Sequence, residues 1–133
     1  MSTLRTALAE RVVVADGAMG TMLQASDATL DDFAGHEGCN EILNVTRPDI
    51  VTSIHEAYLE AGADCVTTNS FGANLGNLGE YGLVDRIGEL SETSARLARA
   101  GDRIRPSGPR PYDIPRVARH VPGQRRRPAA RWR

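Results

Sequence analysis

The sequence predicts an α/β protein with parallel strands, followed by a segment of different character. Two short runs rich in β-branched residues, Val12-Val13-Val14-Ala15 and Cys65-Val66-Thr67-Thr68, carry the strand signal. The clearest amphipathic helix pattern of the chain lies between them. Strand, helix, strand in that order is the signature of a βαβ unit, whose strands run parallel. The third observation is a break in composition after Ala100, where apolar periodicity stops.

The elements follow in chain order. Ser2 is placed to cap a short helix whose apolar side is Leu4, Ala7 and Leu8. The run at 12–15 is continuous, as in a strand buried on both faces. It stops at Asp16-Gly17-Ala18-Met19-Gly20-Thr21, where two glycines mark a tight turn, and Met22-Leu23-Gln24 can start a helix. Residues 25–40 are polar and read as a loop. Thr46 to Asp49 resembles a capping box, with Pro48 in the first turn. Ile50, Ile54, Ala57, Tyr58 and Ala61 continue at helical spacing until Gly62 ends the helix. The second strand follows at 65–68 and closes in Asn69-Ser70-Phe71-Gly72. Gly76, Gly79 and Gly82 weaken any helix over 73–82. Ile87, Leu90, Ser94, Leu97 and Ala98 restore one over 84–100. No internal repeat or coiled coil is visible.

The near-neutral total of −1 hides a division. Residues 1–100 carry 6 Arg and 15 acids, a net of −9, whereas residues 101–133 carry 10 Arg and 2 acids, a net of +8. All 16 basic residues are Arg, which suits a G·C-rich coding sequence. The arginine- and proline-rich segment cannot bury enough apolar surface to offset its ordering entropy and is expected to be disordered. Two units are therefore expected, an ordered one over 1–100 and a tail over 101–133. No apolar run approaches the roughly 18 residues of a membrane span. A secretory signal pattern is missing at the N-terminus, so the expected compartment is the cytoplasm. Cys39 and Cys65 form no C-x-x-C pair, and a disulfide framework is not expected.

Chemistry is sought first at the two strand ends. Backbone N–H groups of the 16–21 turn can cradle an anion such as a substrate carboxylate, and Asp16 can accept a bond from an ammonium or orient a neighbour. The simpler alternative is a plain strand-to-helix turn with Asp16 as a cap. Thr67-Thr68-Asn69-Ser70 places neutral polar groups at the carboxyl end of the second strand, which suits positioning rather than acid–base work. Ordinary loop hydrogen bonding is the alternative there. His36 and Cys39 form an H-x-x-C pair, but zinc needs three or four ligands, so no metal site is predicted. His55, on the long helix, is expected at the surface or hydrogen-bonded, and His120 lies in the tail without a partner.

Four blocks then resemble a known family. Asp16 through Gln24 is similar to the first strand-end loop of the cobalamin-dependent methionine synthases. So are Asn40-Glu41-Ile42-Leu43-Asn44 with Thr46-Arg47-Pro48, Ala61-Gly62-Ala63-Asp64 running on to Thr67 through Asn74, and Glu80-Tyr81-Gly82-Leu83. The blocks cover roughly residues 8–100 in order. The resemblance implies the N-terminal portion of a (β/α)₈ barrel that binds homocysteine through zinc and passes the methyl group of methylcobalamin to its thiolate, giving methionine. By the same resemblance Asp16, Gly17, Ala18, Met19, Gly20 and Thr21 hold the amino-acid end of homocysteine, and Thr68, Asn69 and Ser70 line the same mouth.

Departures from the family pattern bear on activity. The family's zinc ligands are three cysteines near later strands, and this sequence has no counterpart to them or to the cobalamin module. About 100 barrel-like residues cannot close a fold that needs at least about 200. The chain is therefore expected to be an inactive fragment, with no catalytic residue of its own. A change of reading frame in a G·C-rich gene would account for the break near Ala100. One codon choice for Arg116 through His120, moved by one base, reads Gly-Ser-Leu-Gly-Thr, close to the family's third strand end. Two other functions compete. A partial barrel could bind homocysteine or a separate half without catalysis. The Arg tail could bind phosphate backbones, although Tyr112 and Trp132 alone offer little stacking, and no specific nucleic-acid partner is expected.

Overall fold

The computed structural model describes residues 4–102, and the tail predicted over 101–133 falls almost wholly outside them. Six α-helices organise this region: α1 Leu4–Glu10, α2 Met19–Gln24, α3 Leu43–Thr46, α4 Pro48–Glu60, α5 Leu75–Glu80 and α6 Ile87–Asp102. Short 3-10 turns over Leu30–Phe33, Asn40–Ile42 and Val84–Arg86 link them. The described region is mostly helical.

The two runs predicted as strands lie side by side and parallel, but they meet in a single bridge, Ala15 to Cys65, and among the described residues neither forms a strand. Asp16 N donates to the Cys65 carbonyl at 3.1 Å, and Asp64 N to the Val14 carbonyl at 2.7 Å. Burial on both faces, which the β-branched run at 12–14 predicts, is not met. Val12 is 82% exposed, and Val14 is also exposed. Parallel strands need cover on both faces, and the described residues do not supply it. The lower end of the pair is fixed electrostatically instead. Arg11 spans both carboxylate oxygens of Asp64 at 2.6 and 3.1 Å, and Asp64 also accepts from Val14 N at 2.9 Å.

The core lies among α3, α4 and α6. Ile42, Leu43, Ile50, Val51, Ile54, Leu78, Leu83 and Leu90 are buried together with Leu23 and Cys39. Helix α4 packs chiefly on α6. Its buried residues are Ile50, Val51, Ile54, His55 and Leu59, so the inner face is turned away from Ala57 and Ala61, which the sequence pattern had placed on it. Along α6 the expected face holds. Leu90, Ser94 and Ala98 are buried, and Ile87 and Leu97 pack against the core.

The helices differ from expectation at one end, in the presence of α5 and in the burial of α1. Thr46 closes α3 and bonds back to the Ile42 carbonyl at 3.2 Å, so it caps nothing; Arg47 precedes α4 and binds Asp49 instead. Pro48 does open α4, and Gly62 follows its end at φ 107°. A helix forms at 75–80 in spite of Gly76 and Gly79. The Asn74 side chain accepts from Gly76 N and Asn77 N, and Leu78 is fully buried, which together outweigh the propensity cost. Helix α1 forms where predicted, yet Leu4 and Leu8 are exposed and it buries nothing; Ser2 lies outside the described residues.

Candidate functional site at the two strand ends

Asp16 and Thr67 meet where the parallel pair ends. The Asp16 carboxylate accepts from Thr67 N at 2.8 Å and from Thr67 Oγ1 at 2.8 Å, one bond to each oxygen. The pairing follows from the register. With Ala15 opposite Cys65, the next residues on each run leave the ladder together, and a carboxylate there meets an unpaired amide. Asp16 thus orients a neighbour. It does not cap α2, whose first turn has no side-chain cap.

The glycine turn is packed from below by α4. Tyr58 donates its hydroxyl to the Ala18 carbonyl at 3.2 Å. A Cβ on Gly17 would stand 3.0 Å from that hydroxyl and 3.1 Å from the ring. Gly17 therefore makes room for Tyr58, a role that its place in a turn does not disclose. Met19, Gly20 and Thr21 form the first turn of α2 rather than an open loop. A Cβ on Gly20 would meet Asn40 Nδ2 at an ordinary 3.9 Å.

Thr68, Asn69 and Ser70 divide their work. The hydroxyls of Thr68 and Ser70 bond each other at 2.7 Å, and Ser70 N donates to the Thr68 carbonyl at 2.8 Å. Asn69 is buried. Its Nδ2 donates to the Asn40 carbonyl at 2.9 Å and to Asn44 Oδ1 at 3.1 Å, while Asn44 Nδ2 donates to the Asn69 carbonyl at 2.8 Å. Three residues after Asn69, Gly72 N donates to Glu41 Oε1 at 2.6 Å. The strand end is thus clamped from inside by the segment 40–44. Glu41 and Asn44 were not singled out for this by sequence. Their signal was two polar residues, three apart, in a stretch that also holds Cys39, Ile42 and Leu43.

Burial pushes the Cys39 thiol up, and the Glu41 carboxylate adds to the rise, so this cysteine is held as the unreactive thiol. Cys65 is exposed and free of a disulfide, with its thiol 3.9 Å from the Val14 carbonyl. His55 corrects the expectation of a satisfied or surface imidazole: it is fully buried, and neither ring nitrogen has a hydrogen-bond partner among the described residues. Burial holds its pKa below the ordinary value, with the Asp16 charge opposing. Among the described residues no group of three or more His, Cys, Asp or Glu could hold a metal ion. The donor set does not fit zinc. Nor is any described helix long and apolar enough to cross a membrane.

Two parallel runs thus end side by side, the first in the Asp16 carboxylate and the second in the neutral polar groups of Thr67 to Ser70, with the segment 40–44 bracing the second. The family model of the homocysteine S-methyltransferases matches residues 13–122. The chain belongs to that family. It is 63% identical over 92 residues to the methionine synthase of Mycobacterium tuberculosis, covering 69% of this chain and 8% of that protein. The methionine synthase of Mycobacterium leprae is 61% identical over 92 residues, with the same 69% and 8% covered. The chain therefore spans 8% of the length of these curated relatives.

Proposed function

We propose that this chain is the opening part of a homocysteine-binding (β/α)₈ barrel of the methionine synthase type, and that its share of the work is to hold the amino-acid end of homocysteine. The observation that carries this reading is the Asp16–Thr67 pair, which joins the two family-like segments at the carboxyl ends of adjacent parallel runs. In such folds that end faces substrate. Amides of Gly17, Ala18, Met19, Gly20 and Thr21 meet the carboxylate, and Asp16 meets the ammonium or keeps the loop ordered. Thr68 and Ser70 offer hydroxyls from the second strand end, with Asn69 fixing their backbone.

Thiol activation by zinc and methyl supply by methylcobalamin belong to the family chemistry, and the described residues are not assigned either task. The chain alone is a binding and positioning unit. Without a metal to favour the thiolate, homocysteine keeps a thiol pKa near its free value of roughly 8.5 and stays mostly protonated.

Titrating homocysteine into the ¹⁵N-labelled chain tests the reading. Amide shifts confined to 16–21 and 68–70 are expected, with no methionine formed from homocysteine and methylcobalamin above the cobalamin-only background. Shifts scattered over other segments would reject the assigned site. Methionine formation above background would reject the division of labour.

A further inference from the structure

We propose that Glu41 is a positioning residue for the 68–72 strand end, acting through the amide of Gly72. The inference rests on the reading of that strand end as a substrate-holding surface. It goes beyond that reading by naming the group that sets its shape.

Three observations lead to Glu41. First, the side chain is nearly buried, at 8% exposure. Buried carboxylates are rare unless partnered, and among the described residues no cation pairs with this one. Its partner is a backbone amide instead: Gly72 N donates to Oε1 at 2.6 Å, a short bond of the charge-assisted kind. Second, Gly72 is shaped to receive it. A Cβ there would stand 2.8 Å from Oε1 and 3.0 Å from Cδ, so any larger residue must push the carboxylate away. The atoms it would push are the free end of a side chain, but moving them breaks the bond. Third, the bond is linked to the site. Ala73, next to Gly72, donates its amide to the Ser70 carbonyl at 3.1 Å, and Ser70 N reaches the Thr68 carbonyl at 2.8 Å. A shift of Gly72 therefore carries through Ala73 to Ser70 and Thr68, whose hydroxyls bond each other at 2.7 Å.

On the far side of the same turn, the Asn44–Asn69 pair holds the chain where Asn69 is buried. Glu41 and Asn44 are three residues apart and grip the strand end at two points. The Asn pair secures the strand, and Glu41 sets the pitch of the turn that follows. The second Glu41 oxygen accepts a long, weak bond from the Cys39 thiol at 3.9 Å, which leaves Oε1 to the Gly72 amide.

The test uses the full chain with Glu41→Gln, Gly72→Ala and the double variant. In the parent chain the Gly72 amide proton should resonate well downfield, as a short bond to a carboxylate requires. Either single substitution should move it upfield and shift the amides of Thr68 and Ser70, while those of Asp16 to Thr21 stay in place. Homocysteine affinity should fall about 10-fold in each single variant, the size expected if the displaced strand end gives up one hydrogen bond to the ligand. The double variant should lose no more than either single, because both remove the same bond. An unmoved Gly72 amide in Glu41→Gln, additive losses, or shifted amides with unchanged affinity would each overturn the proposal. Should the parent chain fail to bind homocysteine, the functional reading falls by itself. The amide pattern at 68–72 then decides whether Glu41 sets that turn. If Glu41→Gln does not fold, Gly72→Ala carries the same readouts.

Discussion

At the scale of single residues, Asp16 is tied to the second run and His55 is buried without a tie. Asp16 spends one bond on each oxygen to fix Thr67, and a carboxylate has lone pairs left for a ligand ammonium. Asp16→Asn keeps the shape and loses the charge. Homocysteine affinity is then expected to fall by roughly 10- to 150-fold, the range for one charged hydrogen bond of about 1.5–3 kcal/mol, measured by calorimetric titration. Unaltered affinity would reduce Asp16 to a brace for Thr67. His55 is a cost to the fold: a buried imidazole with both nitrogens unpartnered. Its folded pKa is depressed by burial. The unfolded chain therefore binds a proton that the folded one refuses. Stability from this residue is full above about pH 6.5 and declines as pH falls below it. His55→Leu should raise the unfolding free energy by about 1–3 kcal/mol and flatten that decline. An unchanged pH profile in urea melts would show that the imidazole is not its source.

At the scale of elements, α4 and α6 carry the fold and the short segments depend on them. Leu90 of α6 is fully buried, and its carbonyl also receives Asn44 Nδ2 at 3.4 Å, so α6 supports the strand-end clamp as well as the core. Leu90→Ala is expected to cost about 2–5 kcal/mol by the loss of packed methyl groups and the cavity left behind. The amides of Asn44 and Asn69 should lose exchange protection in the same variant. Protection retained at both would separate the clamp from α6. Acid weakens the surface ties between elements in the usual direction. A backbone amide of Thr29, with Arg47 adding to it, holds Asp32 below the carboxylate range, and Arg47 does the same for Asp49. Their contributions are present above about pH 4 and fade as pH falls through the lowered folded values. Being exposed, they are small.

At the scale of the whole molecule, the metal question is the sharpest. His36, Cys39, Cys65 and His55 stand far apart in role: a ring packed edge-on to Tyr81, a buried thiol, an exposed thiol and a buried imidazole. Chelator-washed full chain should therefore retain zinc well below stoichiometric level by elemental analysis. A tightly held zinc in every chain would mean that the remaining residues complete a site, and would restore thiol activation to this chain. The same measurement separates a positioning unit from a self-sufficient methyltransferase.

Much of this architecture is local and was therefore legible in the sequence. Pro48 and Gly62 bound α4 because a missing N–H and a left-handed φ act within a turn. The spacing of Leu90, Ser94 and Ala98 fixes the inner face of α6. The parallel direction of the two β-branched runs is met in the one Ala15–Cys65 bridge, and the polar blocks at their ends do adjoin each other. What the tertiary structure alone decided is every contact between residues distant in sequence. Gly17 makes room for Tyr58, and Gly72 for Glu41, because a glycine's reason depends on what arrives from elsewhere. Val12 is exposed although its neighbours are β-branched, because burial of a parallel strand depends on cover that its own residues cannot provide. His55 has the spacing of an interior position and the chemistry of an exterior one. Tertiary burial settled that conflict in favour of the interior, at the expense of both ring nitrogens.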